Sequence, residues 1–360
     1  LIVAIGACVL AASASAQPIV VFGDSLSDTG NVLAFSQSPL AQALGFTPRP
    51  DAPWYQPGQF TNGTIGTAGL ATTTYTQGNW VNVLADRLGR DRPHAAGLTP
   101  DITPLGTNYA WGGAQANEGS LLPPLTTQVG FYLNGPASPA PPTPDTLYTF
   151  WLGGNDLINA AKAPDATPAS IAAAGANAIS ALRTNIQAVT TAAAVSDTQV
   201  DVLWANLPSL DRTPEGAALD PSLRDALAQA SADFRLAQLT AASDLRAANA
   251  SLNLLTLDVY ALFNQILDNP ASYGLVNVTT PVLDAPDFTQ AGPFAPSLNV
   301  PITANPDQYA FWDSLHPTAH MHALIGHAAA NLVPAPGLTS LLAFVGILAT
   351  PPRRRERGVR

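Results

Sequence analysis

The stretch VVFGDSLSDTGN, Val20 to Asn31, holds the junction from which the rest of the chain can be read. An apolar run closes on Gly23, and Asp24, Ser25, Ser27, Asp28 and Thr29 then crowd into six positions. With Ile19 in front, IVVFG reads as a buried strand. Ser25, directly behind it, has two readings. Serine and aspartate at such a junction usually cap a helix or close a turn. The other reading is a nucleophilic hydroxyl. The segment alone does not choose between them, and the cap is the commoner case.

Outward from this junction the chain alternates. NWVNVLADRLG, Asn79 to Gly89, sets Trp80, Val81, Leu84 and Leu88 on one helical face, with Gly89 placed to end the helix. TLYTFWLGGND, Thr146 to Asp156, predicts a second buried strand ending in glycines. An Ala-rich helix follows over about Thr167 to Ala194, then the strand VDVLWANLPSL from Val200 to Leu210. A further helix covers roughly Pro221 to Ala250, and LNLLTLDVYALFNQIL, Leu252 to Leu267, gives strand then helix. Strands separated by helices of about ten or more residues indicate βαβ units. The expected fold class is therefore α/β, a three-layer α/β/α sandwich around a mainly parallel sheet. Ser36 to Gly78 and NGPASPAPPTPD, Asn134 to Asp145, break the rhythm as loops. No internal repeat is visible, and one domain with large insertions accounts for the pattern. In open parallel sheets chemistry collects at the carboxyl ends of the strands, where Ser25, GGND and NLP all fall.

Composition excludes several functions. Hydrophobic residues make up 47% and charged residues 11% of the 360, against about 25% charged in average soluble chains. This is too apolar a mixture for disorder. The net charge is −10, and the body of the chain has no basic cluster for a phosphate backbone, so nucleic acid is not an expected partner. The single cysteine, Cys8, allows no internal disulfide and no thiolate metal site.

Both ends read as addresses. LIVAIGACVLAASASAQ is apolar and closes in Ala14-Ser15-Ala16, the small-x-small pattern of a secretory cleavage site. It begins at Leu1 without a Met or a basic region, so residues 1–16 are read as a signal peptide lacking its extreme N-terminus. A lipobox reading of IGAC is the weaker alternative, because the apolar run continues past Cys8. At the other end, VPAPGLTSLLAFVGILATPPRRRERGVR carries an apolar run of about 14 residues, short for a membrane span, before an Arg cluster that favours the cytoplasmic side. Residues 334–360 are read as a sorting or anchor tail that engages the membrane or a sorting protease. Residues 17–333 remain as the domain, and the expected location is secreted or cell-surface.

The distant partner of Ser25 lies in YAFWDSLHPTAHMHALIGH, Tyr309 to His327. Asp313 and His316 sit three apart, ahead of Pro317 and a helical pattern. A serine hydroxyl needs an imidazole to take its proton, and the imidazole needs a carboxylate to fix its tautomer and orientation. Asp-x-x-His places both on one loop. In isolation such a pair is more often a helix cap with a packed histidine.

Taken together the blocks resemble the GDSL family of SGNH hydrolases. FGDSLSDTGN is similar to the nucleophile block, NYAWGGA to the second, GGND to the third and DSLHP to the last. The resemblance covers nearly all of the chain between the two addresses, and NWVNVLADRLG, VDVLWANLPSLDRTPE and LDVYALFNQILDNPASYGLVNVTTP resemble the bacterial secreted branch of lipases and acyltransferases. The tail resembles a PEP-CTERM sorting signal, with Val333-Pro334-Ala335-Pro336 in place of Pro-Glu-Pro. The resemblance implies a flavodoxin-like SGNH fold and a carboxyl-ester hydrolase acting through an acyl-serine. Ser25 matches the catalytic serine, His316 the base and Asp313 the acid. The oxyanion donors would be Ser25, Gly113 (Gly112 being the alternative) and Asn155. No cofactor or metal is implied, and the substrate is an acyl ester, including lipid. Acyl transfer to lipid or glycan alcohols, and a binding module on an inactive enzyme fold, are the rival readings.

Neighbouring residues carry lesser expectations. Asp24 and Asp28 fix the serine loop, Asp28 caps the next helix, and Asn31 supports the same turn. His320, His322 and His327 invite a metal reading by spacing, but no carboxylates stand in register with them. Trp111, Trp151 and Trp312 are either an acyl-chain wall or core. The Gly/Thr/Ala-rich stretch between GQFTNG and NWV, about residues 64–78, is expected to border the substrate cleft.

Overall fold

The computed structural model describes residues 18–97, 106–118, 122–134, 145–194 and 199–334. The expected signal peptide, the tail beyond Pro334 and most of the 134–145 loop lie outside the described residues. In chain order the elements are β1 (Ile19–Gly23), α1 (Asn31–Ser36), α2 (Pro39–Ala43), α3 (Trp80–Leu88), α4 (Leu125–Asn134), β2 (Leu147–Trp151), α5 (Gly154–Lys162) and α6 (Pro168–Ala193). They continue with β3 (Val200–Ala205), α7 (Pro214–Ala217), α8 (Pro221–Ala248), β4 (Leu252–Leu257), α9 (Val259–Asp268), β5 (Leu283–Asp284), β6 (Ser297–Leu298) and α10 (Ala319–Leu332).

β1 to β4 form one parallel sheet in the order β1-β2-β3-β4, as the alternation requires. Every residue of β1 and β2 is buried, which is why both read as unbroken apolar runs rather than alternating ones. Register then does functional work. Ile19 pairs with Leu147 and Gly23 with Trp151, so the two strands end level and deliver their following loops side by side. Outside β1, Val21 bonds to Thr107 O at 2.9 Å and accepts from Tyr109 N at 2.8 Å. The NYAWGGA block is thereby tied to the outer edge of the sheet.

α3 and α10 pack together, while α6 packs against α4, α5 and α8. The helix ends follow local chemistry. α3 begins after Asn79 and ends at Gly89 in the left-handed conformation (φ 64°). Thr167 and Ser170 form a reciprocal capping box at the start of α6, with Pro168 in the first turn. Thr318 caps α10 by accepting from Met321 N. Asp258 caps α9 through Ala261 N and pairs with Arg235 of α8 at 2.6 Å.

α3 and α10 approach closely because residue 326 has no side chain. A Cβ there would lie 2.5 Å from Val83 Cβ and 2.8 Å from Trp80 O. Gly326→Ala should therefore destabilise the protein by about 1–2 kcal/mol, the strain of an over-packed contact exceeding the roughly 1 kcal/mol of helix propensity gained. Urea unfolding checks this; an unchanged or raised midpoint would mean the two helices separate freely.

Candidate active site

The chain leaves β1 into one tight turn, with Ser27 N and Asp28 N both donating to Asp24 O at 3.0 Å. Gly23 allows it, since a Cβ at that position would sit 2.6 Å from Ser27 Cβ and 3.2 Å from Ala110 Cβ. Gln128 of α4 fixes the strand end from below, accepting from Gly23 N at 3.0 Å and donating to Gly23 O at 2.9 Å. Trp80 Nε1 donates to Ser27 Oγ, and Asn79 Nδ2 to Asp28 O, each at 3.0 Å. The buried Asp28 carboxylate accepts from Gly30 N (2.8 Å), Asn31 N (2.7 Å), Val32 N (3.2 Å) and Gly112 N (3.0 Å). It caps α1, as read from the sequence, and also binds the second block. Asn31 reaches farther than its own turn, donating to Asn108 O and Ala110 O and accepting from Gly97 N.

Ser25 is no cap in this structure. Its Oγ lies 2.8 Å from His316 Nε2, and His316 Nδ1 lies 2.8 Å from Asp313 Oδ2 and 2.9 Å from Oδ1. The three residues are 3–6% exposed. Asp313 Oδ1 also accepts from the backbone N–H groups of Leu315 and His316, and Oδ2 from Tyr55 Oη at 2.7 Å. The imidazole lies between Phe60, with centroids 5.1 Å apart, and the edge-on ring of Phe288 at 5.9 Å.

Gly112 and Gly113 differ in what their N–H groups do. The Gly112 N–H is taken by Asp28. Gly113 adopts φ +80°, which favours glycine, and its N–H has no acceptor among the described residues. Asn155, at the head of α5, donates one amide N–H to Ala114 O at 2.9 Å, leaving the other for the cleft it lines. The next residue, Asp156, accepts from Ala116 N and Asn117 N at 2.8 and 2.9 Å. The GGND block is thus laced to the segment that carries Gly113.

These groups open into a cleft of about 660 Å³. One part of its wall is apolar, with Val32, Phe35, Phe46 and Trp111; elsewhere Asn159 and the Lys162–Glu215 ion pair line it. Of the three tryptophans weighed from the sequence, only Trp111 lines this cleft. Trp151 and Trp312 are buried, Trp312 against Tyr55. The expectation for residues 64–78 is corrected: none lines the cleft. Thr73 and Thr74 donate to the Asp307 carboxylate, Tyr75 stacks on His320 at 4.3 Å, and Leu70 packs with Tyr55 and Trp312. Asp307, not the substrate space, decided where that loop lies.

Burial and charge set the proton affinities. Burial alone would push the Asp313 carboxyl up, but the His316 charge and its hydrogen bonds hold it below the ordinary carboxylate value. Burial would likewise lower His316, yet Asp313 outweighs it and the imidazole is raised above 6.5. Asp24 accepts from Leu26 N at 3.0 Å and borders a small cavity beside Trp151, Leu207 and Phe263. Burial pushes it to about 7. His322 is buried with no partner on either ring nitrogen among the described residues; burial lowers it to about 3 and keeps it neutral. No group of histidines and acids suited to a metal ion occurs among the described residues. His320 instead contacts Asp307 O through Nδ1.

Tyr55, Phe60, Phe288, Gln128 and the Lys162–Glu215 pair escaped the sequence reading. They lie outside the motif blocks or, like Phe60, inside one as an unremarked neighbour, and no periodicity marks them.

Comparison with known proteins places these observations. No curated protein sequence matches the chain. Among solved structures, an extracellular lipase from Streptomyces rimosus is 15% identical with a TM-score of 0.40, over 87% of this chain and 100% of its own. Phospholipase A1 from Streptomyces albidoflavus is 15% identical with a TM-score of 0.38, over 90% and 99%. A family two carbohydrate esterase from Clostridium thermocellum, solved with cellohexaose, is 11% identical with a TM-score of 0.36, over 92% and 65%. The sequence profile of the GDSL-like lipase/acylhydrolase family matches residues 19–329, nearly the whole of the folded region just described, and the chain belongs to that family of serine ester hydrolases.

Proposed function

We propose that this protein cleaves carboxylic esters at the Ser25 hydroxyl. The observation that carries the reading is the unbroken relay from Ser25 Oγ to His316 Nε2, and from His316 Nδ1 to Asp313, all buried at one end of an open cleft. Ser25 Oγ attacks the acyl carbon while its proton passes to His316 Nε2. Asp313 holds the imidazole in the tautomer that leaves Nε2 free to accept, and offsets the positive charge that forms. His316 then gives the proton to the departing alcohol. Water, deprotonated by the same nitrogen, then attacks the acyl carbon of the acyl-serine; the C–O bond to Ser25 breaks, His316 returns the proton to Oγ, and the acid leaves.

Charge developing on the carbonyl oxygen needs donors already aimed at it. The Ser25 and Gly113 N–H groups have no acceptor among the described residues, and the free amide N–H of Asn155 is a third candidate. The apolar wall of Val32, Phe35, Phe46 and Trp111 suits the acyl chain, and the stretch with Asn159, Lys162 and Glu215 suits a polar alcohol portion. This chemistry, with a serine nucleophile, an imidazole base and amide donors, needs no cofactor. In the same reading residues 1–16 direct export, residues 17–333 form the catalytic domain, and residues 334–360 are a sorting tail. No helix among the described residues is long and apolar enough to cross a membrane.

Ser25→Ala should abolish turnover of a short-chain aryl ester and leave the thermal transition nearly unchanged; undiminished hydrolysis would reject the assignment. Asn155→Ala should lower kcat by about 10²–10³, the usual loss for one oxyanion donor, with little change in KM. The pH profile has a defined sign. His316 acts only when neutral and its pKa is raised by Asp313, so kcat/KM should fall as pH drops through a value above 6.5. A limb at or below that value would contradict the pairing.

A further inference from the structure

The Asp313 carboxylate has a partner that the relay itself does not require. Tyr55 Oη donates to Asp313 Oδ2 at 2.7 Å, across 258 positions of sequence. On Oδ1 the carboxylate accepts two backbone N–H groups of its own loop, Leu315 at 3.0 Å and His316 at 2.8 Å. On Oδ2, the His316 imidazole and the Tyr55 phenol are its donors among the described residues.

Tyr55 is held as firmly as its partner. The residue is 1% exposed, with its ring edge-on to Phe288 and Trp312 (5.4 and 6.2 Å) and tilted against Phe294 (5.9 Å). Its own N–H donates to Asp51 O at 3.0 Å, and Thr67 Oγ1 ties down Pro53 O, two residues earlier, at 2.6 Å. A core position needing only volume would be met by phenylalanine, with no buried hydroxyl to satisfy. Here the hydroxyl meets a carboxylate, the acceptor that makes such a bond strongest.

We propose that Tyr55 is a positioning residue that fixes the Asp313 carboxylate and lowers the basicity of His316 by drawing on the carboxylate's charge. The proposal rests on the roles given to Asp313 and His316 above. A donor on Oδ2 withdraws charge from the anion that faces Nδ1, so imidazolium is less stabilised in the resting enzyme and His316 stays neutral to lower pH. Burial and Asp313 raise the phenol well above its ordinary pKa, so it remains a donor throughout the working range.

Four other ionisable or polarisable groups bear on the same imidazole. Asp313 lies on its own loop, Asp24 on the turn after β1, Glu215 at the start of α7, and His322 on α10. All four are present whether residue 55 is Tyr or Phe. The difference between those two proteins therefore isolates the phenol.

The test is the pH dependence of kcat/KM for a short-chain p-nitrophenyl ester. In Tyr55→Phe the acid limb should move upward by about half to one pH unit. In the same variant kcat at neutral pH should fall about three- to tenfold, with KM changed by less than about twofold. Phe294→Leu loosens the packing of the Tyr55 ring and keeps the hydroxyl; it should lower the melting temperature without moving the limb. 3-Fluorotyrosine at position 55, a stronger donor of nearly the same shape, should move the limb downward. A limb that stays in place in Tyr55→Phe, or moves equally in Phe294→Leu, overturns the proposal. Labelling by a fluorophosphonate separates the two levels of failure. A wild-type protein labelled at Ser25 with an unmoved limb in Tyr55→Phe defeats the Tyr55 role alone. An unlabelled Ser25 defeats the relay on which it rests.

Discussion

The active end of this molecule hangs on one buried carboxylate. Asp28 gathers four backbone N–H groups, three from the turn and helix that follow it and one from Gly112, which is 84 positions away. Leaving buried donors unpaired costs about 1–3 kcal/mol each, so the loop after β1 and the second block are locked in a single relative position. That lock has a chemical result. It consumes the Gly112 N–H, while that of the cleft-lining Gly113 has no acceptor among the described residues. Which of two adjacent glycines keeps an unpaired N–H among the described residues is decided by an aspartate that does not line the cleft.

Among the acids buried in this neighbourhood, Asp24, Asp28 and Asp313 differ in their donors. Asp28 is saturated with backbone donors. Asp313 is balanced by an imidazole, two backbone N–H groups and a phenol, and it keeps its charge. Asp24 accepts from Leu26 N beside a small cavity with apolar neighbours, and burial pushes it to about 7. Burial raises Asp24 and Asp28 alike, Asp28 to about 6 despite its four backbone donors; the His316 charge and its hydrogen bonds set Asp313 apart. His322 is the counterpart among bases. It is buried behind the relay with no partner, and so it is kept neutral near His316.

Much of this was legible in the sequence, for reasons that can be named. Parallel strands covered on both faces must be apolar throughout, so IVVFG and LYTFW announced themselves. The end of α3 was marked by Gly89, which takes the left-handed conformation there. Four short blocks in order gave the family, and with it the residues to watch. What stayed hidden depends on contacts between segments far apart in the chain. Nothing local marks Tyr55 as the neighbour of Asp313, because the bond exists only once the 50–60 segment folds over the loop before α10. The 64–78 stretch misled for a related reason. Its Gly and Thr content signals a loop but does not say against what it lies, and Asp307, some 230 residues downstream, supplies the answer.

That loop has a further consequence. Thr67 braces the backbone at Pro53, Leu70 fills the space beside Tyr55 and Trp312, and Thr73 and Thr74 are clamped by Asp307. Between Thr67 and Thr73, Ala68, Gly69, Ala71 and Thr72 are exposed. The insertion therefore behaves as a buttress with an unburdened tip. Evolution can lengthen, trim or decorate that tip without disturbing the reaction, whereas drift at its anchoring threonines would be felt, through Tyr55, at a carboxylate on the far side of the wall.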